Sequence, residues 1–169
     1  MNAVIQNINT AIGAALQEKD IKAYGLAESV ALRGDEDITL PAIVLPSSEC
    51  FDVYGETDKH DVVLYHRIGD ISYNEDTKAA YGSGITYTEV ADMSLIIFGK
   101  REKISQFRME HIARAAIAKQ KECTLVRSEF NALQIFASEY AGVTYFMGAA
   151  YFLFKINYRI TCTYDPRCE

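Results

Sequence analysis

The sequence predicts an α+β fold: a mostly antiparallel sheet with two or three amphipathic helices packed on it and one long loop excursion. Three stretches carry that expectation. From residue 151 to 164 the pattern alternates without a break, with Phe152, Phe154, Ile156, Tyr158, Ile160, Cys162 and Tyr164 on one side. Tyr151, Leu153, Lys155, Asn157, Arg159, Thr161 and Thr163 fall on the other, so a period of two gives a long strand with one wholly apolar or aromatic face. Residues 3–19 instead place Ile5, Ile8, Ile12 and Leu16 at helical spacing, with Gln6, Asn7, Gln17 and Glu18 opposite. Residues 105–121 repeat that spacing with Met109, Ile112, Ala113, Ala116 and Ile117, behind Ser105 as N-cap.

In chain order, the first helix ends near Asp20. A weaker strand region covers 22–46, with Gly34-Asp35-Glu36-Asp37 as a polar turn between strands at 30–33 and 38–40. Pro41 and Pro46 bracket 42–45, which suits a strand entering and leaving a sheet, because proline has no N–H for the ladder. Residues 61–67 form another strand through Val62, Val63, Leu64 and Tyr65. The stretch 68–85 holds Gly69, Asp70, Asn74, Asp76, Tyr81, Gly82 and Gly84 and predicts a long loop, a length usually reserved for function or mobility. Sheet character returns over 86–99, closed by Lys100, Arg101 and Lys103. A short strand at 124–126 precedes a third helix at 131–140, capped by Asn131 and stopped by Gly142, with Leu133, Phe136 and Tyr140 on one face. An apolar link, 143–150, leads into the final strand. At 169 residues the chain is most simply one domain, 1–169, long enough to bury a core without disulfide or metal support.

Composition excludes several classes of function. A formal charge of −6 opposes general nucleic-acid binding, which needs a basic surface to displace counterions. No apolar run approaches the ~20 residues of a membrane span, and the opening MNAVIQNINT lacks a signal-peptide pattern. Cys50, Cys123, Cys162 and Cys168 include no close pair of the zinc or redox kind, and nothing suggests an oxidising compartment, which predicts a protein that is intracellular or assembled inside a cell. His60, Asp61 and His66 could suggest a metal site. Residues six apart on a strand lie ~20 Å apart, however, so surface or half-buried histidines are expected there, and at His111 as well. Gly82-Ser83-Gly84 lacks the lysine and hydroxyl of a phosphate loop, and the adjacent Glu75 and Asp76 are expected to be solvated. No catalytic residue, cofactor or metal ligand is therefore predicted.

Charge distribution says more. Between residues 27 and 76, 12 acids face 3 bases, a net −9, while between 100 and 127, 8 bases face 3 acids, a net +5. An acidic and a basic face on one molecule can associate head to tail, closing into rings or extending into filaments; two unrelated solvated faces are the alternative. Tyr145, Phe146 and Met147, close to Tyr151 and Phe152, form either core or an exposed contact patch. The candidate interface residues are Lys155, Asn157, Arg159, Tyr145, Phe146 and Tyr81.

The order of elements resembles the tail-terminator and head–tail connector proteins of tailed bacteriophages, including the ring-forming connectors of short-tailed phages. It runs from the N-terminal helix, through the strand bounded by Pro41 and Pro46, to a strand interrupted by a long polar loop. The strand and helix of 91–121 follow, then the short helix with Glu139-Tyr140, and the final strand around 152–161. The resemblance implies a structural virion protein, not an enzyme, without cofactor or membrane contact. It would be assembled in the host cytoplasm as a ring of about six or twelve copies. Such a ring stacks on portal or tail proteins around the DNA channel, and an acidic lumen would let DNA slide, because like charge prevents phosphate contacts. Residues 68–85 and 143–150 would then touch adjacent subunits or rings. The residues themselves leave two alternatives open: a small intracellular enzyme or ligand-binding domain with a scattered pocket, and a monomeric adaptor.

Overall fold

The computed structural model describes residues 1–21, 23–27, 30–35, 38–44, 50–52, 60–76, 86–139 and 149–164. The elements are α1 (Asn2–Gln17), β1 (Ala23–Ala27), β2 (Val30–Asp35), β3 (Ile38–Val44), β4 (Cys50–Asp52), β5 (Val62–Asp76) and β6 (Thr86–Lys100). They continue with α2 (Gln106–Ala118), β7 (Cys123–Glu129), α3 (Ala132–Glu139) and β8 (Tyr151–Tyr164). The fold is α+β, as the periodicities predict. One sheet has the order β1-β5-β6-β8-β7, antiparallel except for the parallel pair β1–β5, and a second has the order β2-β3-β4.

The large sheet is built on β6, which pairs along nearly its whole length with β5 on one side and β8 on the other. Cross-strand neighbours share a face, so the register sorts every side chain. Val62, Leu64, Ala91, Met93, Leu95, Ile97, Phe154, Ile156 and Ile160 point to one face, where α1 and α2 seal them. The periodic stripes of both helices meet that layer: Ile5, Ile8, Ile12 and Leu16 from α1, and Met109, Ala113, Ala116 and Ile117 from α2. Full burial of each of the larger of these side chains, the isoleucines, leucines, valine, methionines and phenylalanine, contributes roughly 1.5–3 kcal/mol. The Phe152 ring lies over Gly99 in this layer and fills the space a Cβ would take, so any larger residue there would have to displace the ring.

Local signals set the helix ends. Ser105 Oγ accepts from the Arg108 amide at 3.3 Å, and Asn131 Oδ1 accepts from the Gln134 amide at 3.2 Å, so both are N-caps. α1 stops where Asp20 adopts φ 54° and the Ile21 amide reaches back to the Leu16 carbonyl at 3.1 Å. That is a Schellman closure with aspartate in the usual glycine position, and it returns Ile21 to the core.

Several expectations are corrected. The loop at 68–85 is strand as far as Asp76, and its remainder, 77–85, lies outside the described residues. Glu75 and Asp76 thus belong to β5. Pro41 sits inside β3, paired with Leu32, instead of separating two strands, and Gly34 and Asp35 belong to β2. β7 runs the seven residues Cys123–Glu129, longer than 124–126. α3 buries Ile135 and Phe136, while Leu133 points outward at 62 % exposure. The second face of β8, where the alternation places Leu153, belongs to a further buried layer. Val63, Tyr65, Ile96, Phe98 and Leu153 are buried there, and α3 packs on β8, with its Glu139 reaching Arg67 and Lys155 on the same face.

Candidate functional site

On the second face the described residues include a cluster of hydrogen-bonded polar side chains, and two β-bulges place it. In β5, Ile68 pairs with Met93 but Ile71 with Ala91, so one extra residue is accommodated at Gly69-Asp70. In β7, Leu125 pairs with Tyr158 but Arg127 with Asn157, which leaves Val126 as the extra residue. This bulge reverses the alternation. Cys123 and Leu125 therefore face the helices, whereas Arg127 and Glu129 face away, opposite Asn157 and Lys155. A groove of about 220 Å³ runs between the bulges, sided by Gly69 and Val126 and floored by Asp92, Ser94, Asn157 and Arg159.

Glu129 is the hub of the charged groups. It accepts from the Asn157 amide and from Arg127 Nε at 2.9 Å, and Lys155 Nζ lies 3.4 Å away. Burial pushes its carboxyl up, but Lys155, the Asn157 amide and Arg127 outweigh burial and hold it below its ordinary value. Lys155 also stands 3.9 Å from Glu139, which accepts from Arg67 as well. Ser94 Oγ donates to Asn157 Oδ1 at 2.8 Å, and farther out Arg159 Nε donates to Asp92 at 2.7 Å.

Among the candidate interface residues, Lys155, Asn157 and Arg159 thus share one face, and each finds its polar partner inside the chain. Lys155 is only 16 % exposed; Arg159, at 55 %, keeps an outward surface. Tyr81, Tyr145 and Phe146 lie outside the described residues, as do Gly82-Ser83-Gly84, Tyr140 and Cys168.

The histidines separate rather than cluster. His111 is exposed and His60 half-buried, and among the described residues no group of three His, Cys, Asp or Glu side chains could hold a metal. His66, expected at or near the surface, is fully buried against the helices. Its Nε2–H donates to Asn9 Oδ1 of α1 at 2.7 Å, and its Nδ1 accepts from the Tyr158 hydroxyl of β8 at 2.7 Å. Burial drives its pKa from 6.5 to about 3, and burial likewise raises that of Tyr158, with Cys123 nearby adding to the rise. The signal for this cluster was Asn9, a polar residue four after Ile5 and three before Ile12, in the stripe that faces the core.

Little in these groups activates a nucleophile. Burial, then Glu122 and Cys162, push the Cys123 thiol up to about 11, so it is protonated at neutral pH. The groove instead offers hydroxyl, amide and guanidinium groups to a hydrogen-bonding partner. Large apolar side chains are exposed as well: Val126 at the side of the groove, Ile68, Ile71 and Tyr73 on the outer half of β5, Phe107 on α2, and Phe130 and Leu133 near β7 and α3. Among the described residues no helix is long and apolar enough to cross a membrane. Comparison of the sequence with known protein families and with curated proteins finds no match.

Proposed function

We propose that this chain is a structural subunit that assembles with copies of itself into a ring at the junction between the head and tail of a bacteriophage particle. The ring surrounds the DNA channel, joins portal and tail components, and carries out no chemistry of its own. The observation that supports this reading is the outer half of the large sheet. Beyond Tyr65 no described strand pairs with β5 on the side away from β6, and Ile68, Ile71 and Tyr73 stand 44 %, 40 % and 60 % exposed along it. An open strand edge with exposed apolar side chains is a liability in a solitary protein and an asset in an assembly. The resemblance in element order supplies the setting, and the excess of acidic residues suits a lumen through which DNA slides.

Light scattering across a wide concentration range, followed by electron microscopy of the purified protein, tests the proposal. Closed rings of uniform copy number are the expected outcome. A strict monomer that binds neither portal nor tail components overturns it.

A further inference from the structure

We infer that the outer, helix-side face of β5 is the seat for α2 of a second copy of this chain. The inference rests on the assembly proposed above and names the two surfaces that meet. Each face of a sheet in a packed fold needs a covering layer. Within one chain α1 and α2 cover the inner part of this face, as far as Ala91 on β6 and Ile160 on β8, and among the described residues leave Ile68, Ile71 and Tyr73 of β5 uncovered. The bulge at Gly69-Asp70 keeps Ile68 and Ile71 on the same side, opposite Met93 and Ala91, and Tyr73 follows opposite Glu89. The bare area is therefore an apolar stripe flanked by acid: Ile68, Ile71 and Tyr73, with exposed Asp70 in the bulge and half-buried Glu89 beside Tyr73.

The outer side of α2 has the complementary character. Phe107 is 80 % exposed, and Arg108, His111, Arg114, Ala115, Ala118 and Lys119 are exposed along the same helix. Its turns thus present an aromatic anchor, small residues that allow close approach, and cations. Glu110, the acid of this helix, is turned inward, where it accepts from Ser128 Oγ at 2.7 Å and meets Arg114 at 3.4 Å. A second copy's α2 laid on this face continues the helical layer of the fold, sets Phe107 against the Ile68–Tyr73 stripe, and brings Arg108 and Lys119 toward Asp70 and Glu89. The two surfaces differ, so the contact is head to tail and propagates from copy to copy.

The test is a charge exchange read by sedimentation velocity, with circular dichroism to show that each variant stays folded. Arg108→Glu with Lys119→Glu, and separately Asp70→Lys with Glu89→Lys, are each expected to weaken self-association by about a hundredfold. Mixing the two variants is expected to restore mixed complexes, because each then supplies the surface complementary to the other. If the wild type assembles and neither variant changes its mass, this interface is overturned while the assembly proposal stands. If the wild type is a monomer at every concentration, this interface is overturned, and if it also binds neither portal nor tail components the assembly proposal falls with it.

Discussion

His66 is neutral at neutral pH, because burial holds its pKa at about 3. Asn9, Tyr158 and the apolar layer of the sheet surround it, and both ring nitrogens are satisfied. The cost of disturbing such a cluster is asymmetric: one missing partner leaves a buried polar atom unsatisfied, whereas replacing the whole set by apolar groups can be nearly neutral. Tyr158→Phe is therefore expected to lower stability by about 1–3 kcal/mol in urea denaturation. The triple variant Asn9→Leu, His66→Leu, Tyr158→Phe should recover most of that loss. A triple variant as weak as the sum of its parts would show that the cluster contributes more than its hydrogen bonds.

The elements that bury both faces of the sheet make Lys155 and Arg159 unequal, although one alternation places them together. Lys155 links β8 to β7 and α3 through Glu129 and Glu139, so Lys155→Glu would add a third carboxylate to a half-buried acidic pair. Its expected loss is about 3 kcal/mol, read as a lower denaturant midpoint. Arg159→Glu disturbs one exposed pair with Asp92 and should cost less than about 1 kcal/mol. Of the two, only Arg159 can probe assembly without confounding it with folding; equal losses for both would refute this division. The alternation of β8 was fully legible in the sequence, to the residue. What it could not convey is the parity change in the neighbouring strands. Val126 breaks the period of β7, and Gly69-Asp70 breaks that of β5, so β7 looked short and half of β5 looked like loop. Without those bulges Arg127 and Glu129 would point at the helices, and the groove would not exist.

At the scale of the whole molecule, fold class and helix placement were readable because helices α1 and α2 and strand β8 each carry an uninterrupted period. The separation of β2-β3-β4 into its own sheet was not, since Pro41 in mid-strand carries the signal of a strand end. The same architecture fixes the direction of the molecule's response to acid. His66 has a folded pKa of about 3 against an ordinary 6.5, so between those values the unfolded chain binds a proton that the native chain refuses. Stability then falls as pH falls, by about 1.4 kcal/mol per pH unit while that difference persists. Glu129 acts in the same sense lower down. Its carboxyl is held below its ordinary 4.5, so its contribution is present above that value and is lost as pH drops through the folded pKa. Thermal unfolding between pH 7 and pH 4, followed at a concentration low enough to exclude assembly, should show a continuous decline that begins near 6.5. The triple variant that removes His66 should lose the upper part of that decline and keep the part below 4.5 that Glu129 supplies. An unchanged slope in the variant would mean that some group other than the sealed histidine carries the acid sensitivity.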